Sequence, residues 1–402
     1  MVRRNLSLLI LTFALIFVIS ISFISFVSAT TRYVDDNTAD ALSTVCSTDD
    51  KCKTIQQAID ITATVAGDTI LVSSGYYESF HVNKASLTIQ SSSGPSATYI
   101  NGSIIINASA HNLILGGSSG NGFTIRNSTS LSGNSFLIKI GTGVLVDANA
   151  TENITISYNN ISVIDGVSGI NSSYGSNTTS FNAILIKANV TNLIISDNNF
   201  SFFGPAAKSG AIVSNDRIYE IKGLNVSTNT FIGYMDSRKY NFTQGIVLTV
   251  ANIASASFPT TIQSNTFSNI SRAIVIGNES FGSGVILGNS YFLIDSNKFL
   301  ENNISVEILN ADYLTNGSLQ DIRITNNNFT KNYYAIMINS SFYTGGYISY
   351  LDPTDFNISL NDFVQNYMAI NNTYLKASSD GFYFAVKAEN NWWGTQQGAF
   401  RM

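Results

Sequence analysis

The stretch from Thr54 to Gln90, TIQQAIDITATVAGDTILVSSGYYESFHVNKASLTIQ, decides the fold, because the period of its apolar residues changes once along its length. Thr54 and Gln57 have the spacing of a helix-capping box, and apolar residues follow at helical intervals. Gly67 is a typical residue to end such a helix. The pattern therefore predicts a short amphipathic helix over about 54–66, which is too short to form a domain by itself.

After Gly67 the apolar residues alternate with polar ones, which is the pattern of half-buried β-strands. Gly75 and the pair Asn83 and Lys84 separate these strands as turns. The alternating apolar residues are Ile70, Val72, Phe80, Val82, Leu87 and Ile89. This order predicts the first turns of a stacked β-coil, with the preceding helix lying as a cap over its open apolar end.

Four segments of this stretch resemble the opening of right-handed parallel β-helix proteins of the pectin-lyase-like superfamily. They are T-I-Q-x-A-I at Thr54–Ile59, A-G-D-T-I-x-V at Ala66–Val72, G-x-Y at Gly75–Tyr77 and a K-x-L-T-I-like strand at Lys84–Ile89. The resemblance covers the chain from roughly Tyr33 to its end. It implies an all-β fold, a single-stranded right-handed parallel β-helix solenoid with a short N-terminal capping helix.

The same resemblance leaves the function open, because fold alone does not determine function. The chain resembles several kinds of protein with this fold: polysaccharide lyases, esterases and hydrolases, copper-site maturation proteins of the NosD type, and non-catalytic surface proteins. Two histidines and scattered methionines give no cluster of copper ligands in this sequence.

The chain begins with the features of a secretion signal over residues 1–29. Arg3 and Arg4 precede an uncharged apolar run from Leu6 to Val27, and the small residues that end at Ala29 form a typical cleavage site. The run has 22 residues, which is also enough to cross a bilayer as an uncleaved anchor. Either alternative predicts a secreted or cell-surface protein.

Composition favours one long exported domain. Only 12% of the residues are charged, about half the usual share, and Pro occurs four times. The net charge of −5 and the absence of a basic cluster argue against a nucleic-acid partner. We therefore expect a polar segment over 30–53 and a single β-helix, including its cap helix, over 54–402.

Cys46 and Cys52 are the only cysteines, and they lie in a polar loop just before the predicted cap helix. In an exported protein this spacing favours one local disulfide that holds the loop against the cap. A metal site would need further ligands, and His81 and His111 are distant in sequence.

A repeat appears when the chain is aligned on an apolar residue preceded two positions earlier by Asn. The nine matching pairs are Asn121 and Phe123, Asn159 and Ile161, Asn198 and Phe200, Asn229 and Phe231, Asn265 and Phe267, Asn297 and Phe299, Asn327 and Phe329, Asn361 and Phe363, and Asn390 and Trp392. Successive anchors are 29 to 39 residues apart, a period typical of solenoids with loop insertions.

The repeat predicts a structural ladder of asparagines at a corner of the coil. Asn tolerates a left-handed backbone better than most residues, and stacked amides can form hydrogen bonds along the solenoid. The apolar residue two positions later is expected to point inward and stack on its neighbours. In the last coil Trp392 would be this inward residue, and Trp393 would cover the end.

The segments between late repeats differ in length, so insertions should gather on one flank of the solenoid, where loops on a rigid scaffold carry function. The longest late insertion contains Tyr343, Tyr347 and Tyr350. Exposed rings of this kind can stack on the faces of sugars, although packing within the core or the loop is the more common role of such residues.

Asn-x-Ser/Thr sequons are about twice as frequent as the content of Asn, Ser and Thr predicts. This excess suggests N-linked glycans that hydrate a weakly charged surface, in a eukaryotic or archaeal host. Beyond the signal the sequons begin at Asn101, Asn107, Asn127, Asn149, Asn153, Asn160, Asn171, Asn177, Asn189, Asn199, Asn225, Asn241, Asn269, Asn278, Asn303, Asn316, Asn328, Asn339, Asn357 and Asn371.

Candidate catalytic residues are weak. The resemblance implies clustered Asp with Ca²⁺ and a basic residue for a lyase, several Asp with His for a hydrolase, and two Asp with Arg for an esterase. Asp295, Asp321 and Arg323 are the nearest candidates, while Asp197 and Asp362 stand at different offsets from the repeat. Solvated turn residues would give the same pattern, so no catalytic residue, metal or cofactor is predicted, with Ca²⁺ reserved for the lyase alternative.

The sequence therefore predicts a secreted, N-glycosylated, non-catalytic β-helix protein of the cell surface that binds carbohydrate or has a structural role. The alternative is a polysaccharide lyase or glycoside hydrolase of the same fold. Expected partners are carbohydrate or other cell-surface components, and contact with a membrane is expected only through an uncleaved signal anchor.

Overall fold

Parallel β-sheet accounts for almost all of the regular structure. The computed structural model describes residues 28–38, 43–126, 136–141, 151–164, 182–203, 209–214, 220–233, 243–248, 252–253, 258–277, 291–309, 322–339, 356–372 and 388–394. Within these residues, one short helix accompanies three long sheets in which every strand pair is parallel. The predicted parallel β-helix is confirmed.

Each of the three sheets runs the length of the solenoid. Sheet 1 contains β1 (Thr31–Val34), β2 (Thr69–Val72), β5 (Thr88–Ser91), β8 (Ile114–Leu115), β11 (Thr151–Ser157), β14 (Val190–Ser196), β17 (Glu220–Lys222), β18 (Asn225–Ser227), β21 (Asn252–Ile253), β22 (Thr260–Gln263), β25 (Phe292–Asp295), β28 (Ile322–Thr325) and β31 (Phe356–Ser359).

Sheet 2 contains β3 (Gly75–Tyr77), β6 (Thr98–Asn101), β9 (Thr124–Arg126), β12 (Asn160–Ile164), β15 (Asn199–Phe203), β19 (Thr230–Ile232), β23 (Thr266–Ser268), β26 (Lys298–Leu300), β29 (Asn328–Thr330) and β32 (Asp362–Val364). Sheet 3 contains β4 (Phe80–Val82), β7 (Ile104–Ile106), β10 (Phe136–Ile140), β13 (Asn182–Ile186), β16 (Ser209–Ser214), β20 (Thr243–Leu248), β24 (Arg272–Ile276), β27 (Ile304–Leu309), β30 (Tyr334–Asn339) and β33 (Met368–Asn372).

The chain visits sheets 1, 2 and 3 in turn, and each strand pairs with the equivalent strand one coil later. In sheet 1, for example, Ile262, Ile294, Ile324 and Ile358 are aligned in register and fully buried. Because strand side chains alternate, this register places one apolar column of each sheet inside the coil and leaves the intervening residues outside.

A stack of aromatic rings fills the interior behind sheet 2. Neighbouring rings are nearly parallel, with interplanar angles of 3° to 11° and centroids 4.6 to 5.1 Å apart. Such offset stacking adds to the burial of apolar area. The stacked residues are Phe200, Phe231, Phe267, Phe299, Phe329, Phe363 and Trp393.

Buried asparagine side chains form a continuous ladder between sheets 1 and 2. Each side-chain Oδ1 accepts a hydrogen bond from the backbone N–H of the residue at the same position one coil earlier, at 2.9–3.0 Å. Except in the last asparagine, each side-chain Nδ2 also donates to the Oδ1 of the asparagine one coil later, at 3.0–3.2 Å. We call this the inner ladder; its members are Asn159, Asn198, Asn229, Asn265, Asn297, Asn327, Asn361 and Asn391.

The inner ladder confirms seven of the nine predicted asparagines and corrects the two at its ends. Asn121 binds the Ser118 hydroxyl, and Phe123 occupies the ladder position of its coil, so the predicted register was wrong by two residues. At the other end the ladder member is Asn391 rather than Asn390. In the first coil the ladder position holds no Asn, so the pattern was matched to the nearby Asn121, whereas in the last coil the adjacent Asn390 and Asn391 made the pattern ambiguous.

The predicted left-handed conformation also belongs to a different residue. None of the inner-ladder asparagines has a positive φ; the residue before each one does, with φ from 54° to 60°. The backbone therefore turns one residue earlier, and the asparagine follows it in position to reach inward. The left-handed residues are Tyr158, Asp197, Thr228, Ser264, Ser296, Asn326, Leu360 and Asn390.

A second, shorter ladder of buried amides, not predicted from the sequence, lies between sheets 2 and 3. Asn302 donates to Asn332 Oδ1 at 3.1 Å, and Asn332 donates to Asn366 Oδ1 at 2.9 Å. Each of these asparagines lies three residues after a stacked phenylalanine, so the sequence contained the spacing. A left-handed residue again precedes each amide.

Helix α1 (Ile55–Asp60) is shorter than the predicted 54–66, and Gly67 does not end it. Thr54 accepts a hydrogen bond from the Gln57 N–H as predicted, while the Gln57 side chain accepts one from Lys53. The chain leaves the helix at Ile61, where ψ is 141°. The Lys84 ammonium donates to the carbonyls of Ile61 and Thr64, so these two carbonyl groups find their hydrogen-bond partner in a residue outside the helix.

The N-terminal segments cover an exposed edge of each sheet. The disulfide between Cys46 and Cys52 is present, and Cys52 pairs with β1 at the edge of sheet 1. The Asp36 carboxylate accepts from the Tyr76 N–H at the edge of sheet 2, where a Cβ on Gly75 would overlap it. These contacts provide hydrogen-bond partners for edge backbone groups that could otherwise pair with a strand of another molecule.

The edge of sheet 3 is covered by one side chain of helix α1. The Gln56 amide accepts from the His81 N–H at 2.7 Å and donates to the His81 carbonyl at 3.3 Å. Ile55, Ala58 and Ile59 on the same helix are buried in the main core. Helix α1 therefore acts as the predicted cap through both apolar and polar contacts.

The last described coil reverses the predicted roles of the two tryptophans. Trp393 stacks on Phe363 with centroids 4.9 Å apart, whereas Trp392 is 46% exposed. Trp392 nevertheless pairs through its backbone with Asn361 and Phe363. The one-residue shift of the inner ladder to Asn391 causes this reversal, because strand side chains alternate between the two faces.

Candidate functional site

Four of the residues predicted from the sequence as candidate site residues lie outside the described part of the chain. They are the proposed sugar-stacking tyrosines Tyr343, Tyr347 and Tyr350 and the weak catalytic candidate Asp321. The remaining candidates, together with two exposed tyrosine pairs, can be placed on the solenoid.

The first pair, which we call the N-terminal tyrosine pair, is formed by Tyr76 and Tyr99 on the outer face of sheet 2. They are register partners on β3 and β6, so their rings stack at 5.0 Å with an interplanar angle of 16°. Tyr76 is 62% exposed, and the Tyr99 hydroxyl is held by the Ser96 carbonyl. The fold thus fixes an aromatic face that water can reach.

Arg126 adds a positive charge to this surface. Its guanidinium carbon lies 5.0 Å from the centroid of Tyr99 and 6.0 Å from that of Tyr76, which is within the range of cation–π attraction. The Arg126 Nε donates to the Asn101 side chain at 2.6 Å, and this bond orients the guanidinium. Ring faces beside a fixed guanidinium are chemically suited to a sugar that carries a carboxylate.

The second pair, the C-terminal tyrosine pair, lies between sheets 2 and 3 near the other end. Tyr333 and Tyr367 follow consecutive asparagines of the shorter ladder, and their rings stack at 4.4 Å with an interplanar angle of 4°. They are 39% and 69% exposed, and Tyr334 packs edge-on against Tyr333.

Asp295 lies on the outer surface of sheet 1, where three neighbours bind its carboxylate. Ser296 and Thr325 donate their hydroxyls at 2.8 and 2.7 Å, and Asn326 donates its amide at 2.8 Å. Burial alone would raise the pKa of Asp295, but these three hydrogen bonds outweigh it and hold the pKa below its usual value. A carboxylate stabilised in this way is a poor general acid near neutral pH.

Arg323 is exposed on the strand that pairs with β25, opposite Leu293. None of the hydrogen bonds that the structure gives to Asp295 comes from Arg323. Asp197, another turn carboxylate, accepts from the Thr228 hydroxyl at 2.8 Å. These contacts account for Asp295 and Asp197 as turn-stabilising groups.

The outer face of sheet 3 carries a buried cluster that sequence reasoning missed. Val213, Val247 and Val275 are at most 7% exposed although they point away from the main core. Beside them Arg272 and Glu307 form an ion pair at 2.5 Å, with side chains only 13% and 5% exposed. The sequence did contain a signal for this cluster: apolar residues occupy strand positions that the alternation of inward and outward side chains would assign to solvent.

The sequons follow the same alternation. In nine sequons of the described residues, the middle residue is apolar and buried. The Asn and the Ser or Thr on either side of it face away from the core or lie at a corner of the coil. A strand with an apolar inner face and an Asn, Ser and Thr outer face generates this triplet by its period alone. The nine begin at Asn153, Asn160, Asn189, Asn199, Asn225, Asn269, Asn303, Asn328 and Asn357.

No group of three or more His, Cys, Asp or Glu side chains in the described residues is arranged to hold a metal ion. No helix among them is long and apolar enough to span a bilayer.

Comparison of the chain with known families, with characterised proteins and with solved structures finds no match in any of the three.

Proposed function

We propose that this chain is an exported, non-catalytic β-helix of the cell surface, related to the pectin-lyase-like superfamily, that binds carbohydrate through exposed tyrosines. The observation that carries the proposal is the N-terminal tyrosine pair with Arg126 beside it. Stacked rings that are held by the fold bind a sugar face without losing side-chain freedom, which lowers the cost of binding.

Arg126 directs the proposal toward acidic polysaccharides, because its guanidinium can pair with a uronate carboxylate. The shallow position of the rings also favours binding over cleavage, since cleavage requires an acid and a base on either side of the scissile bond. The contacts of Asp295 support the same view.

N-linked glycans are part of the proposal. Among the sequons in the described residues, Asn153, Asn160, Asn199 and Asn328 have exposed side chains. We expect modification at these four in preference to the less exposed sites. Mass spectrometry of the exported protein should find glycopeptides at these positions, and unmodified peptides at all four would contradict this part of the proposal.

Binding can be measured by calorimetry with pectin, alginate and neutral glucans, with and without Ca²⁺. We expect Tyr76→Ala to weaken binding to the acidic polymers about fivefold and Arg126→Gln to do so for acidic polymers only. Ile232→Ala is the matched control, since Ile232 is an exposed aliphatic residue on the same face of sheet 2. Equal affinities for all four proteins would refute the proposed site.

The same mixtures test the lyase or hydrolase alternative. New reducing ends or unsaturated products that disappear in Asp295→Asn or Arg323→Ala would overturn the non-catalytic assignment. Products that persist in both variants would overturn it as well and would place the catalytic groups elsewhere in the chain.

A further inference from the structure

Among the described residues, Thr30 is the first whose backbone bonds to the solenoid, and it directly follows the predicted signal-cleavage site. Its backbone N–H donates to Asp68 Oδ1 at 2.8 Å, and its carbonyl accepts from the Thr69 N–H at 3.0 Å. Ser28 and Ala29 are exposed, and the Ser28 carbonyl accepts a hydrogen bond from the Thr30 hydroxyl at 3.2 Å. The predicted cleavage site thus directly precedes a residue whose backbone N–H and carbonyl are both bonded to the solenoid.

Asp68 is an unusual acceptor for a backbone amide, because its carboxylate is completely buried. Its second oxygen, Oδ2, accepts from Arg32 Nε at 3.0 Å and from the Val65 N–H at 3.1 Å. Oδ1 is directed at the Thr30 nitrogen. A buried carboxylate gains most from a partner that carries charge, since charge-assisted hydrogen bonds are about twice as strong as neutral ones.

We infer that the chain is cleaved after Ala29 and that the new α-ammonium group of Thr30 forms an ion pair with Asp68. Hydrolysis breaks the bond between the Ala29 carbonyl carbon and the Thr30 nitrogen; water supplies the hydroxyl of the leaving carboxylate and the proton of the amine. The inference rests on the export that we propose, and it is independent of carbohydrate binding.

The surrounding charges are compatible with this pair. Arg32 on β1 and Lys84 before β5 are the bases near Asp68, and Asp60 at the end of helix α1 is a second acid. Burial lowers the pKa of Lys84, whereas Asp60 and Asp68 raise it. Thr30 is itself exposed, so the ammonium hydrogens that do not reach Asp68 are free to bind water.

The ion pair gives processing a structural consequence. Uncleaved, Thr30 contributes a neutral amide, and after cleavage it contributes a cation at the same place. The segment that holds β1 against β2 therefore becomes more tightly bound once the signal is removed.

The first test is the N-terminal sequence of the exported protein, obtained by mass spectrometry. We expect a chain that begins at Thr30. A chain that begins elsewhere, or that retains the signal, would overturn the inference.

The second test does not depend on export. Proteins beginning at Thr30 or at Ser28 can be released from fusions and treated near neutral pH with an acetylating N-hydroxysuccinimide ester. We expect the Thr30 α-amine to react about tenfold more slowly than the Ser28 α-amine, because near neutral pH each unit by which the pKa of an amine rises reduces its neutral, reactive fraction about tenfold. Equal rates would overturn the ion pair.

Asp68→Asn in the protein that begins at Thr30 should restore fast acetylation, while persistence of slow acetylation would assign the protection to burial instead of charge. If this variant does not fold, comparison of the two wild-type proteins still decides the question. A further readout is the midpoint of thermal unfolding: the extra stability of the Thr30 protein should be present below the pKa of a free α-amine, about 8, and be lost at higher pH.

Discussion

The inner ladder and a second line of asparagines on the surface use the same side-chain bond in opposite surroundings. On the surface, Asn153 donates to Asn112 at 2.9 Å and Asn192 donates to Asn153 at 3.0 Å. We call these three residues the outer ladder. All three are exposed and adopt the left-handed conformation themselves, with φ of 55° to 56°, whereas the inner amides are buried and leave that conformation to the preceding residue.

The difference indicates that the contribution of a ladder to stability depends more on its burial than on the pairing of its amides. Within the inner ladder, Asn327 accepts from the Asn297 N–H and Nδ2 and donates to Asn361 Oδ1 and to the Ile294 carbonyl. If the Asn327 side chain is removed, these buried donors and acceptors lose a hydrogen-bond partner that water cannot replace. In the outer ladder, water can replace each lost bond.

Removing one inner amide should have the largest effect. We expect Asn327→Ala to lower the free energy of unfolding by about 3–5 kcal/mol, because several buried polar groups lose their partner together. Asn327→Gly should be no milder, since the position does not require positive φ. Denaturant unfolding measures the change, with the neighbouring exposed residue as control in Asn328→Ala. Equal midpoints for these two variants would contradict the role of burial.

The same contrast between inside and outside can be tested with the two tryptophans. Trp393 continues the aromatic stack at its end, so Trp393→Ala should cost about 2 kcal/mol, less than a fully buried ring because the site is partly open. Trp392→Ala should cost at most about half as much. Thermal melts of both variants check the order, and a larger loss for Trp392→Ala would restore the register predicted from the sequence.

The turn before the inner ladder offers a stabilising change. Leu360 is 58% exposed and has φ of 60°, a conformation that costs a non-glycine residue about 1–2 kcal/mol. Asn accepts it better, so Leu360→Asn should raise the free energy of unfolding by about 1 kcal/mol. Ser359→Asn, one residue earlier at a position without positive φ, is the control. A loss of stability in Leu360→Asn would show that the leucine side chain makes the larger contribution.

The outer ladder should give the smallest effect. We expect Asn153→Gly to change the free energy of unfolding by less than about 0.5 kcal/mol, because water replaces the amide bonds and Gly accepts the left-handed backbone. Asn153→Val should be clearly worse, since a β-branched residue resists that conformation. If both variants lose the same amount, the amide bonds rather than the backbone dominate at the surface.

The fold could be predicted from the sequence because its strongest signals are local and repeated. The spacing from Asn to Phe, together with Ile or Val five residues before the Phe, places each coil on the same register without any knowledge of long-range contacts. The prediction failed by two residues at Asn121, because the ladder position of that coil is Phe123, and by one residue at Asn390, because the adjacent Asn391 offered a second alignment.

The surface contacts could not be predicted in the same way. The pairing of Gln56 with His81 and of Asp36 with Tyr76 depends on how the cap lies over the first coil, and no period in the sequence encodes it. The stack of Tyr76 on Tyr99 was accessible in principle, because the two strands are equivalent positions of adjacent coils. The sequence interpretation instead gave priority to tyrosines in a long insertion.

The constant advance of each coil gives the two tyrosine pairs a fixed separation. Strands in a sheet are about 4.8 Å apart, and seven coil steps separate Tyr99, on β6, from Tyr333, just after β29, so these tyrosines are about 34 Å apart along the axis. A short oligosaccharide could engage only one pair, whereas a polymer could bridge both and gain avidity through a high effective concentration. The rod would then discriminate among glycans by length as well as by composition.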